Sequence, residues 1–336
     1  MSPSHPMDCH LTRRRFTLAA AASLAASRLP AQSPLAKVPD IERPHILAEA
    51  PAALTADPRN LLDLSTTIAT LTAAFVLTQD VAYAHRADAL LNTFLITPAT
   101  RLSSQPTQPI TELIPFAELA VALRFLVDAL PPETLTAVNA FLSDLLLWLN
   151  TEHAYVIARD TKDHRASAWL LTVSALARSQ RDEKALDDCR HRLRTPTLRN
   201  QINSDGAFPQ ELATPNPLRN TLFNFDLLTG ACQLLNSPFD DLWHYELIDG
   251  TSLRSVTAAL FPILADRRRW PGVSDAEHFR EIPLRRPGLL FAGRAYNRPE
   301  YIDLFRSLPT DIPPELAASV PIRQPLLWTA RAAHGL

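Results

Sequence analysis

Glycine is scarce in this chain, with seven residues in 336 against 29 prolines. Tight β-hairpins draw heavily on residues at positive φ, which glycine supplies without steric cost, so this composition excludes a barrel or sandwich built on such turns. Cysteine is scarcer still: Cys9, Cys189 and Cys232 are the only three. A disulfide-stapled scaffold is therefore excluded, and no cysteine spacing matches a metal motif. Cys189 and Cys232 read as buried structural thiols, with one disulfide between them allowed but not required. Neither sign of charge dominates, since 33 Lys and Arg face 35 Asp and Glu for a formal net charge of -2. The basic residues are scattered, which excludes the electrostatic stripe that tracks nucleic acid. The ten histidines are scattered too, and no His/Asp/Glu run has ligand spacing, so neither metal nor other cofactor is expected.

Long apolar runs are also missing. The uncharged stretch Phe16 to Ser27 is about a dozen residues, short of the roughly twenty that cross a bilayer, and no later segment is read as a transmembrane span. That stretch follows Thr12-Arg13-Arg14-Arg15-Phe16-Thr17-Leu18 and precedes a small residue at Ala31. Paired arginines before Phe, a weakly apolar region and a small residue form the layout of a twin-arginine export signal. The expectation is a signal over 1–31, a single mature domain over 32–336, and a periplasmic or secreted protein. Removing 1–31 takes away four Arg and one Asp and moves the formal charge from -2 to -5.

What the chain does have is Ala and Leu in long stretches, and 46% hydrophobic residues overall, enough for one sizeable core. Leu61, Leu62, Leu64, Ile68, Leu71, Ala74 and Phe75 repeat at helical spacing, predicting a helix over 58–77 with Asp57 as N-cap and Pro58 in its first turn. After Thr78-Gln79-Asp80 the pattern resumes through Val81, Ala84, Ala87, Leu90 and Leu91, and so short a connection makes the two helices an antiparallel hairpin. Further helices are predicted over 116–129, 132–150, 165–178, 183–193, 217–235 and 252–266, with shorter ones beyond. Alternating β-branched runs are absent, so the class is all-α. Periodicity alone leaves bundle, solenoid and toroid open.

Five segments narrow that choice: Leu54-Thr55-Ala56-Asp57-Pro58-Arg59, Pro98-Ala99-Thr100-Arg101, Asp163-His164-Arg165, Asp205-Gly206-Ala207-Phe208-Pro209-Gln210-Glu211-Leu212, and Leu222-Phe223-Asn224-Phe225. In order and spacing they resemble the alginate lyase family, over roughly residues 45–250. The resemblance implies an (α/α) toroid or incomplete barrel of antiparallel helical hairpins. It also implies an acidic polysaccharide substrate and a β-elimination beside a uronic acid.

Such an elimination needs a base for the C5 proton, a group that neutralises the adjacent carboxylate, and a proton for the departing O4. His164 matches the family's histidine and is the candidate base, with Asp163 and Arg165 beside it in the catalytic set. Arg219, Asn220, Trp169, Glu211 and Tyr245 are the candidate substrate-binding residues. The chain also departs from the family. Asp163 stands where Asn is usual, Thr214 and Asn220 stand where an Arg and a Tyr are expected, and the segment after Arg101 is shorter than the family's lid. Three functions follow: an exported lyase on a uronate polymer, a degenerate relative that binds glycan or a partner, or a hydrolase using Asp163, Asp205 and Glu211.

Overall fold

The computed structural model describes residues 35–99 and 108–330. The expected signal over 1–31, the Thr100-Arg101 end of one family segment and most of the shortened lid lie outside the described residues. The described residues fall in one compact unit that begins at Leu35. In chain order its helices are α1 (Val38–Thr55), α2 (Leu61–Thr78), α3 (Val81–Leu91), α4 (Ile110–Leu113), α5 (Pro115–Leu123), α6 (Pro132–Thr151), α7 (His153–Arg159) and α8 (His164–Gln180). There follow α9 (Glu183–Arg192), α10 (Leu198–Gln201), α11 (Pro209–Leu212), α12 (Pro217–Leu235), α13 (Leu253–Ala265), α14 (Pro287–Ala295), α15 (Pro299–Ser307) and α16 (Pro325–Thr329). Two isolated bridges, Ser237 with Asp240 and Glu246 with Ser252, are the only β pairing among the described residues.

Two hairpins share one turn chemistry. α2 ends on Gln79 at φ 61°, whose N–H returns to the Phe75 carbonyl, and Asp80 then caps α3 by accepting from Ala82 N at 3.0 Å. α8 ends on Arg181 at φ 56°, and Asp182 caps α9 through Ala185 N at 3.0 Å. In each, a left-handed residue stops one helix and an aspartate starts the next, so the chain reverses without glycine.

The hairpins α2/α3, α5/α6, α8/α9, α12/α13 and α14/α15 line up so that α2, α5, α8, α12 and α14 pack in succession as an inner row. Their sequences explain the layer. α8 is buried at every position from Ala166 to Ala177, and α12 from Thr221 to Cys232, as befits helices covered on all sides. α9, by contrast, buries only Leu186 and Cys189. α8 and α12 run parallel, because His164 meets Phe223 at one end while Leu171 abuts Gly230 further along. A Cβ at Gly230 would stand 2.7 Å from Ile322 Cδ1, and one at Gly288 would stand 2.5 Å from the Phe225 ring, so two of the few glycines serve close helix packing. α16 fits against α2, α5 and α12, and Arg285 pairs with Glu42 of α1 at 3.1 Å, tying the last hairpin back to the first helix. The architecture is the (α/α) toroid.

The sequence reading misplaced some details. α2 starts at Leu61, capped by Asn60, which accepts from Asp63 N at 2.9 Å, so Asp57 and Pro58 precede the helix. α1 carries Pro44 and Pro51 inside it, and those prolines hid it from a periodicity argument. α2 is long and apolar enough to cross a membrane by length and composition, but Leu64, Ile68 and Leu71 are sealed in the ring. Cys189 and Cys232 are separate buried thiols. Burial pushes the Cys189 thiol up to about 12 and that of Cys232 well above its ordinary value.

Candidate functional site

The N-terminal ends of α8 and α12 lie side by side, and the short helix α11 packs on α12 beside them. Asp163 is the N-cap of α8: one carboxylate oxygen accepts from Arg165 N at 3.0 Å and from the Thr161 hydroxyl at 2.9 Å. The Arg165 guanidinium also grips it, with Nη2 at 2.7 Å. Burial acts to raise this carboxyl, but the bonds from Arg165 and Thr161 outweigh it and hold Asp163 below the usual carboxylate range.

His164 opens the helix. Its backbone N–H donates to Glu211 Oε1 at 2.7 Å, and its Nδ1 lies 2.9 Å from Glu211 Oε2. Glu211 is fully buried, with its backbone in α11 and Thr214 Oγ1 bonded to its carbonyl at 2.7 Å. Behind it, Asn224 donates to Glu211 Oε1 at 3.1 Å and to Gln201 Oε1 at 2.9 Å, and Ser167 donates to the same Gln201 oxygen at 2.9 Å. An ionised carboxylate only accepts, so it assigns the proton to Nδ1 and leaves Nε2 with its lone pair. The imidazole is 24% exposed and rests edge-on against Phe223, ring centroids 5.6 Å apart. This is an oriented, solvent-reaching base held by a sealed polar network.

Arg219 lies one helical turn before Phe223 on the same face of α12. Its backbone N–H is taken by Asp275 at 2.9 Å, as is that of Leu218 at 2.7 Å. No hydrogen bond or ion pair to a described residue engages its half-buried guanidinium. Asn220 donates to Thr214 Oγ1 at 3.1 Å, so the two residues at the family's Arg and Tyr positions bind each other. Burial raises the Asp275 carboxyl, while the two backbone bonds and Arg219 pull it down.

Two expectations need correction. Trp169 is not a substrate platform: it is 1% exposed, donates to the Leu149 carbonyl at 2.9 Å, and has Arg159 and Arg192 over its ring at 5.8 and 5.5 Å. Its position five residues into a helix buried on every side explains why. Glu211 does not meet substrate either, because it is sealed and occupied by His164 and Asn224. Tyr245 sits in the α12–α13 connection under Arg194, 5.8 Å from its ring centroid, and no hydrogen bond or ring contact joins it to His164. Arg165 and Asp163 neutralise each other, which leaves His164 as the one member of the proposed catalytic set free to exchange a proton. Gln201 and Ser167 were missed altogether, and Asn224 stood in a family segment with no role assigned to it. The available signal was a polar residue inside an apolar helical run, as in Leu222-Phe223-Asn224-Phe225.

The toroid of helical hairpins is the frame of a polysaccharide lyase. The chain belongs to the alginate lyase family, whose model matches residues 18–270. An alginate lyase from Bacteroides ovatus is similar in structure, with a TM-score of 0.71 at 16% identity over 87% of this chain and 94% of that one. Alginate lyase A1-III from Sphingomonas species A1 gives a TM-score of 0.53 at 15% identity, over 69% of this chain and 66% of that one. A search of curated protein sequences returns no match.

Proposed function

We propose that this protein is an exported lyase that cleaves a uronic-acid-containing polysaccharide by β-elimination, with His164 as its base. The observation that carries the reading is the His164–Glu211 pair, which fixes the ring and its tautomer and turns a basic Nε2 outward. In the reaction Nε2 takes the C5 proton, and the electron pair forms the C4–C5 double bond as the C4–O4 bond breaks. The imidazolium so formed, stabilised by Glu211, is the proton donor at hand for the departing O4, and the proton balance closes on one residue. Arg219 and Asn220 are the groups that neutralise the carboxylate while negative charge builds on it. The export reading rests on the Thr12 to Leu18 segment and the apolar stretch behind it.

The test is to incubate the purified mature protein with alginate, glucuronan and related polyuronates and follow the absorbance of the unsaturated product. Wild type is expected to generate it on at least one polymer, and His164→Ala to lower the rate by about a thousandfold or more. A second reading, glycan binding without cleavage, is favoured by the Thr214–Asn220 bond at the two departed positions. Retained polymer affinity with no unsaturated product on the whole panel would establish it in place of the first.

A further inference from the structure

Three polar residues lie deep in the ring behind Glu211. Asn224 stands between Phe223 and Phe225 of α12, in a stretch buried at every position from Thr221 to Cys232. Gln201 closes α10, and Ser167 belongs to the first turn of α8. All three are sealed from solvent, and burying such groups costs free energy unless their hydrogen bonds are made.

The bonds they make form a closed circuit. His164 donates to Glu211 through its backbone N–H at 2.7 Å and through Nδ1 at 2.9 Å. Asn224 Nδ2 donates to Glu211 Oε1 at 3.1 Å and to Gln201 Oε1 at 2.9 Å, and Ser167 Oγ donates to that same Gln201 oxygen at 2.9 Å. The chain of bonds thus leaves the first turn of α8 at His164, passes through α11, α12 and α10, and returns to the same turn at Ser167. Asn224 is the member that joins its two halves.

The polarity of the circuit is set by the carboxylate. An NH2 group has two hydrogens, and here each meets one oxygen, Glu211 Oε1 or Gln201 Oε1. Turned over, the amide would set Asn224 Oδ1 against Glu211 Oε1, oxygen against oxygen, so Glu211 selects the orientation. Asn224 Oδ1 and Gln201 Nε2 are then buried with no partner among the described residues. An apolar side chain of the same size in place of Asn224 would leave no such oxygen, so filling the core does not account for an amide here.

We infer, resting on the lyase reading of His164, that Asn224 is a positioning residue: its amide holds the Glu211 carboxylate from behind in the plane that fixes the proton on His164 Nδ1. A carboxylate held only by its histidine could turn about its last torsion and release the ring, and the third donor, anchored through Gln201 to α8, opposes that turn.

The experiment uses Asn224→Leu, which keeps the size of the side chain and removes the donor. The turnover number on the cleaved polymer is expected to fall about tenfold to a hundredfold, with KM within about twofold of wild type. The proton on His164 Nδ1 is followed in parallel by NMR of the full mature protein without substrate, its signal assigned by its loss in His164→Ala. In wild type it is expected far downfield, and in Asn224→Leu to move upfield and to exchange faster with water. Gln201→Met, one bond further from Glu211, is expected to lower the turnover number about threefold to tenfold with the same direction of change at Nδ1, and is the readout if Asn224→Leu is not recovered folded. Absence of unsaturated product with every protein, wild type included, sinks the lyase reading alone, and the Nδ1 signal then decides the role of Asn224. An unchanged turnover number in the folded variant, a rise in KM in place of that fall, or an Nδ1 signal identical to wild type overturns the inference.

Discussion

Glu211 and Glu118 are both sealed carboxylates in the inner part of the ring, and each accepts three hydrogen bonds. Glu118 takes Gln324 N at 2.9 Å, Arg323 N at 3.3 Å and Trp328 Nε1 at 3.0 Å, and so latches the C-terminal segment onto α5. Glu211 takes the backbone and ring of His164 and the amide of Asn224. The acceptor chemistry is alike. The difference lies in the partners, because Gln324 and Trp328 are themselves buried, whereas the His164 ring reaches solvent and owns a second nitrogen. A buried carboxylate is a fastening wherever its donors end inside the protein. It becomes part of a reaction when one donor carries its effect to the surface.

The largest effect that tests this contrast is at Glu211. In Glu211→Gln the side chain keeps its size but can set an N–H against Nδ1, which moves the imidazole proton to Nε2 and removes the outward base. The turnover number on the active polymer is expected to fall about a hundredfold to ten-thousandfold with little change in KM, and an unchanged turnover number would erase the distinction between the two glutamates. Next comes Glu118→Ala, which strands three buried donors. Stability is expected to drop by about 3 kcal/mol or more, each orphaned donor costing roughly 1–3 kcal/mol, as measured by urea unfolding, with the turnover number of the folded fraction unaltered. A fall in turnover alone would show that the latch acts on the site. Smaller again is Arg219→Ala, for which KM is expected to rise about tenfold through loss of one charge-assisted contact, read from initial rates. A KM unmoved by this change would remove Arg219 from carboxylate recognition.

Much of the ring was legible because its signals are local. The apolar spacing of Leu61 to Phe75 and of Val81 to Leu91, joined by Gln79-Asp80, dictates a hairpin by itself. His164 was legible only through the order of the family segments, since an isolated histidine at a helix start carries no such information. Trp169 was misassigned because an aromatic residue in the sequence does not say which side of its helix meets solvent. Trp169 lies in a helix with no exposed face along its middle. The network of Ser167, Gln201 and Asn224 joins residues 23 to 34 positions apart in pairs, a coupling that exists only once α8, α10 and α12 are packed.

The last and smallest signal probes the Glu118 latch by pH. Burial pushes the Glu118 carboxyl up to about 7, with the bonds from Gln324, Trp328 and Arg323 and the charge of Arg323 pulling the other way. Between the unfolded value of 4.5 and the folded value near 7, the folded protein keeps a proton that the unfolded chain has released. Stability therefore declines as pH rises through that window, by at most about 1.4 kcal/mol per pH unit for one proton. Asp226 adds a decline of the same sign between 3.8 and about 6, since burial raises it against the pull of Arg286 and the Gly288 N–H. Glu118→Gln has no proton to exchange, so its unfolding free energy, compared with that of wild type, is expected to lose the slope between pH 6 and 7 and to keep the part below pH 6 that belongs to Asp226. An identical slope in the two proteins across pH 6 to 7 would show that Glu118 is ionised throughout, its three donors outweighing its burial.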